Sequence, residues 1–176
     1  MASHIKSASA CYSSVGKDRS AQVLSLQFQE FKLRDADAFY ALNEAWIKKY
    51  FEMEASDHRV LGDPVGEILQ PGGRIYMAYA GEHAIGCCAL IFVRPNVYEV
   101  AKMAVSEQYR GRGVGRHLLA YVIGQAQALG ATLLTLVTND KLANAIHLYE
   151  SLGFRHLPPE PSPYKRANVF MELPLA

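Results

Sequence analysis

The chain has 176 residues, half of them hydrophobic and a fifth charged, with a formal net charge of +1. A charge so near zero gives no global field for nucleic acid, and no apolar run is long enough to span a membrane. The length suits one domain with a sizeable buried core. Cys11, Cys87 and Cys88 offer neither metal-ligand spacing nor a disulfide framework. No metal is expected, and the thiols fit small core residues in a reducing cytoplasm. Cys87 and Cys88 are adjacent in a strand-like run, so their side chains should point to opposite faces.

Residues 1–20, MASHIKSASACYSSVGKDRS, are rich in Ser and lack the apolar core of a signal peptide. They read as a loose N-terminal extension, and residues 21–176 as the domain. AQVLSLQFQEF, Ala21 to Phe31, alternates as a strand does. Asp35 can cap a helix that carries Phe39, Leu42, Trp46, Ile47 and Tyr50 on one face. Asp63-Pro64 opens a short second helix that ends near PGG, Pro71 to Gly73. RIYMAYA, AIGCCALIFV and VYEVAKMAV come next as three strands of an antiparallel meander.

Leu118, Leu119, Val122, Ile123, Ala126 and Leu129 recur at helical spacing, and Gly130 stops that helix. ATLLTLVT is a buried strand. Asn139 or Asp140 caps a helix with Leu142, Ile146, Tyr149 and Leu152, ended by Gly153. LPPEPSP is a stiff loop, and ANVFMEL, Ala167 to Leu173, is the last strand. The order β-α-α-β-β-β-α-β-α-β predicts an α/β fold with a mixed sheet flanked by helices.

QYRGRGVG, Gln108 to Gly115, lies between the third meander strand and a helix. Gly111, Gly113 and Gly115 let the backbone turn tightly and approach a ligand closely. The helix start adds unpaired N–H groups and partial positive charge, which together favour phosphate. Arg110, Arg112 and Arg116 add charge. A nucleotide-triphosphate loop would need Lys and Ser or Thr after its last glycine, but Arg116-His117 stands there. A dinucleotide fingerprint would need a glycine where Arg116 stands, and an acid about twenty residues on; none comes until Asp140.

Gln108, Gly111 and Gly113 do fill a third pattern: Gln or Arg, two residues, Gly, any residue, then Gly or Ala. NAIHLYESLGF, Asn144 to Phe154, sets an Asn five residues before a Tyr and closes on Gly-Phe. On these two motifs, one strand apart, the chain resembles the Gcn5-related N-acetyltransferases (the GNAT family) over roughly Ala21 to Leu173.

The resemblance implies the GNAT fold and transfer of an acetyl group from acetyl-coenzyme A to a primary amine. It implies that the backbone of Arg110, Gly111, Arg112, Gly113, Val114, Gly115 and Arg116 cradles the diphosphate. It further implies that Met103, Ala104 and Val105 bind the pantetheine arm as an added strand, one N–H polarising the acetyl carbonyl. Asn144 would fix the late helix or the same arm. Tyr149 stands at the family's general-acid position, and a phenol with a pKa near 10 is able to give a proton at neutral pH. Glu99 matches a glutamate that acts as base in the protein-acetylating branch, and its strand parity puts it on the face of Ala101, Met103 and Val105. Freeing an alkylamine of pKa about 10.4 at pH 7 costs about 4–5 kcal/mol, so help with that proton matters.

For the acceptor, Glu52, Glu54 and Asp57 would attract a cationic amine, and Lys165 or Arg166 could hold a carboxylate. The stiff proline-rich loop favours a defined cleft and a small amine, such as an amino acid or polyamine, over a peptide. A protein or peptide acetyltransferase, a non-catalytic acyl-coenzyme A sensor and an interaction domain built on the proline-rich loop are the rivals. A homodimer is left open.

Overall fold

The structure is a computed structural model that describes residues 25–175. The Ser-rich extension, Cys11 and the first four residues of the expected opening strand lie outside the described residues.

Seven strands form one sheet in the order β1-β2-β3-β4-β5-β7-β6. They are β1 (Leu26–Glu30), β2 (Arg74–Ala80), β3 (His83–Arg94), β4 (Val97–Val105), β5 (Leu133–Thr138), β6 (Arg155–Leu157) and β7 (Val169–Pro174). Only β4 and β5 run parallel; every other pair is antiparallel. The mixed sheet and the meander of β2 to β4 are as the sequence predicts.

The helices are α1 (Ala36–Tyr50), α2 (Ala55–Gly62), α3 (Val114–Ala128) and α4 (Ala143–Ser151). None among the described residues is long and apolar enough to cross a membrane. Helix α2 is an addition to the sequence expectation, which has only a short helix from Asp63-Pro64 in this region. Its apolar signal is only Val60 and Leu61, and its start is fixed by Asp57, whose carboxylate accepts the Glu54 N–H at 3.0 Å. The short helix expected from Asp63-Pro64 is present as one π-helical turn, Val65–Leu69, ending before Pro71, and Asp63 accepts the Gly66 N–H at 2.8 Å. Strand β6 is a second departure, because three residues at a sheet edge carry too little pattern to predict a strand.

Period-two alternation sends neighbouring residues of each strand into two cores. Tyr76, Cys88, Leu90, Val100 and Leu134 pack with Leu118, Leu119 and Val122 of α3. Ile75, Met77, Cys87 and Ala89 pack with Phe39 and Ile47 of α1 and Leu61 of α2. Cys87 and Cys88 therefore do face opposite sides. Burial pushes both thiols up, that of Cys87 to about 12, which leaves them as inert core groups.

An ion cluster joins the second core to the loop before β7. Asp57 is fully buried. Its carboxylate accepts both guanidinium nitrogens of Arg166, at 2.7 and 2.8 Å, and the Lys102 ammonium at 2.8 Å. Glu54 accepts Arg166 as well, at 3.0 Å. Burial pushes the Asp57 carboxyl up, but the bonds from Arg166, Lys102 and the Glu54 N–H outweigh it and hold the group at about 2. Stabilisation from a lowered carboxyl is complete above the ordinary value and lost as pH falls through the folded one.

Asp57→Ala would leave the buried Lys102 ammonium without its carboxylate and Arg166 with Glu54 alone, so it should cost about 3–5 kcal/mol in denaturant unfolding at neutral pH. The gap between wild type and variant should close as pH falls from about 4 toward about 2. A loss below about 1 kcal/mol at neutral pH would contradict the cluster's structural part.

Candidate active site

The parallel pairing of β4 with β5 covers only Val97 to Glu99 against Leu133 to Thr135. Both strands continue, but apart. The edge of β4 from Val100 to Val105 that faces β5 is left without a strand partner among the described residues. Lys102 sits at the break with φ 49°, a left-handed backbone at a side chain other than glycine. Its extra residue makes a bulge against β3, where the register slips between Cys87 and Ala89.

The bulge overturns the expected parity. Glu99 pairs with Ile91 and Ala101 with Ala89, on the α1 side. Beyond Lys102, Met103 and Val105 pack on the α3 side. Glu99 and Met103 thus leave the strand on different faces, because one inserted residue inverts an alternation of period two.

The parted strands open into a cleft of about 760 Å³. Met103, Val105, Val137, Leu142, Leu148 and Tyr149 give it apolar walls, and Asn144 lies at the α4 end. Tyr149 stacks edge-on against Phe154 at 5.9 Å, and burial pushes its phenol well above the ordinary value, so the group stays protonated. Glu99 lines the other side; burial pushes its carboxyl up, and the positive charge of Lys102 opposes that in part.

The glycine loop forms one end. Gly111 and Gly113 have φ of 73° and 78°, which explains both glycines. Gly113 is the N-cap of α3, and the first intrahelical bond is His117 N–H to Gly113 C=O at 3.0 Å. The backbone N–H groups from Gly111 to Arg116 make no hydrogen bond to another described residue. Gly115 has ordinary φ, and a Cβ there would touch Leu148 and Met103 at 3.5 and 3.6 Å.

Of the residues singled out from sequence, Glu99, Met103, Ala104, Val105, Arg110, Gly111, Gly113, Val114, Gly115, Arg116, Asn144 and Tyr149 all line this one cleft. Arg112 does not; its guanidinium lies over the Tyr109 ring at 5.8 Å. Two of the arginines have structural bonds. Arg110 Nε donates to Val105 C=O at 3.0 Å, and Arg116 donates to the Ser151 hydroxyl at 2.7 Å, tying α3 to α4.

The acids expected to attract the acceptor do not face it. Glu52 is exposed and outside the cleft lining, while Glu54 and Asp57 are taken up by Arg166 and Lys102. Arg166 in turn has its fork filled and does not await a carboxylate. Lys102, Tyr164 and Arg166 also line the cleft, with Trp46, Tyr50 and Phe51 from the end of α1. Nothing in the sequence announces this group, since Lys102 and Asp57 are 45 residues apart, and Arg166 and Asp57 109.

Residues 24–154 match the family model described as acetyltransferase (GNAT) family. The chain is 31% identical over 105 residues to the uncharacterized N-acetyltransferase YvbK of Bacillus subtilis, covering 58% of this chain and 68% of that protein. Among solved structures, a GNAT-family acetyltransferase of Staphylococcus aureus superposes with a TM-score of 0.78 at 22% identity, over 86% of this chain and all of that one. The PaiA N-acetyltransferase of Thermoplasma acidophilum, solved in complex with coenzyme A, has a TM-score of 0.70 at 16% identity, over 86% and 99%. The chain belongs to the GNAT family of acetyltransferases.

Proposed function

We propose that this enzyme transfers the acetyl group of acetyl-coenzyme A to the primary amine of a small molecule, within the cleft between β4 and β5. The observation that carries the reading is the conjunction of two sets of unpaired backbone groups on one cleft. N–H groups from Gly111 to Arg116 lie at the start of α3, and the free edge of β4 runs from Val100 to Val105. The first set suits a diphosphate, because fixed N–H dipoles at a helix start meet an anion without reorganising. The second suits an amide-bearing chain that adds to a sheet edge. Coenzyme A carries both, in that order, and a cleft of about 760 Å³ lies in the range of small-molecule sites.

The coenzyme would supply an activated thioester. The chain's own residues supply orientation and protons. A backbone N–H of Met103 to Val105 is suited to the developing oxyanion of the acetyl carbonyl. The amine nitrogen forms a bond to the carbonyl carbon, the carbon–sulfur bond breaks, and the sulfur leaves with the electron pair. Tyr149 gives a proton to that sulfur. Its raised pKa keeps the phenol protonated throughout the neutral range. Glu99 takes a proton from the nitrogen, directly or through water, and its raised pKa makes it a better base than an ordinary carboxylate. The buried free thiols Cys87 and Cys88 suit a reducing cytoplasm.

Gly111 has open space around a built Cβ and a left-handed φ that Asn and Asp tolerate. Gly111→Asp should therefore weaken coenzyme A binding in calorimetry at least ~10-fold relative to Gly111→Asn, through charge alone. Equal affinities would remove the diphosphate from this loop. Tyr149→Phe should lower kcat by about 10²–10⁴ and leave coenzyme binding nearly unchanged; full kcat when chemistry limits turnover would make Tyr149 a packing residue. In the wild type, kcat/KM should rise with pH through an apparent pKa above the ordinary glutamate value of about 4.3, because the base must be ionised. Glu99→Gln should abolish that limb, and an unaltered pH profile would assign the base elsewhere.

A further inference from the structure

The segments that line the cleft differ in chemistry. The glycine loop and the start of α3 offer backbone N–H groups and the cations Arg110 and Arg116. The end of α1 and the loop before β7 offer rings. Trp46 and Phe51 meet edge to face at 6.3 Å, and Tyr50 and Phe51 lie 6.4 Å apart. The Arg166 guanidinium lies over both Phe51, at 5.9 Å, and Tyr164, at 4.9 Å, so it joins the α1 rings to the ring of the loop before β7. Lys102 lies over Tyr164 as well, at 4.6 Å.

The charges among these rings are already matched. Arg166 and Lys102 are held by Asp57, and Arg166 also by Glu54. A carboxylate on the acceptor would have to displace a buried bidentate partner. A second ammonium on the acceptor would find no free acid, because Glu99 is the one carboxylate among the described residues lining the cleft. Glu99 can serve one amine and no more. What the wall does reward is a flat apolar body, through ring stacking and burial.

We propose that the acceptor is a monoamine with an aromatic body, an arylalkylamine, and that Trp46 and Tyr164 determine this specificity. The inference rests on the acetyl-transfer reading and names its substrate class. Polyamines and free amino acids are disfavoured for the charge reasons above.

Trp46 is the single tryptophan of the chain, so its fluorescence reports on this wall alone. With coenzyme A saturating, phenethylamine should change Trp46 emission saturably, while spermidine and L-phenylalanine should not. In a thiol-release assay with acetyl-coenzyme A, kcat/KM for phenethylamine should exceed that for spermidine, L-phenylalanine and a lysine peptide at least tenfold. Trp46→Ala and Tyr164→Ala should each raise KM for phenethylamine several-fold and leave KM for acetyl-coenzyme A within twofold. Phenylalanine, spermidine or the peptide as best acceptor would overturn the aromatic-monoamine assignment and leave acetyl transfer standing. Unchanged KM in both variants would remove the wall from specificity. Thiol release that no tested amine raises above the amine-free background would sink the underlying reading, whatever the fluorescence shows.

Discussion

Everything the cleft can do depends on two parallel strands that stop pairing. A sheet normally satisfies each strand's N–H and C=O groups along both edges. Here β4 gives up its partner after Glu99, and the groups on that edge of residues 100–105 face a cavity instead. Such an arrangement costs free energy unless something holds the strands apart and something else uses the exposed groups. The bulge at Lys102 addresses the first requirement. Its left-handed φ turns β4, and the Lys102 side chain is anchored at 2.8 Å to a fully buried carboxylate on α2. A strained backbone persists where its surroundings over-determine it, and Asp57 and Tyr164 both hold this lysine.

The same anchor reaches a third segment. Asp57 binds Arg166 bidentately, so α2, the β4 bulge and the loop before β7 share one carboxylate. That sharing ties the strand geometry, proposed to serve the coenzyme, to the ring wall, proposed to serve the acceptor. The proposed division of labour assigns backbone groups and helix α3 to the coenzyme and aromatic faces to the acceptor. In the same proposal Tyr149 and Glu99, from opposite walls, handle the protons between them. Because Glu99 and Met103 leave β4 on different faces, base and pantetheine edge do not compete for one surface.

The glycine loop, the late helix and most of the strands are legible in the sequence because their signals are local. Gly111 and Gly113 are needed for left-handed φ, and the Tyr149 helix has its own apolar spacing and its Gly153 stop. The departures share one physical origin, which is that long-range pairing overrides local pattern. Alternation alone assigns Glu99 to the face of Met103, and one inserted residue reverses it. Glu54 and Asp57 have the pattern of free loop acids, yet Arg166, distant in the chain, folds onto them. Helix α2 is held by that pairing and by its own cap more than by an apolar stripe. Trp46, Tyr50 and Phe51 have the spacing of ordinary core residues, and nothing in it reveals that they end at a cavity.

Amide hydrogen exchange with and without coenzyme A tests the central claim most directly, because it reports on the unpaired backbone groups themselves. Strong new protection is expected in two separate stretches, the β4 edge within residues 100–105 and the α3 start within 111–116, with little change in β1, β2 and β6. Coenzyme A that binds while leaving both stretches unprotected would contradict a coenzyme site on these backbone groups.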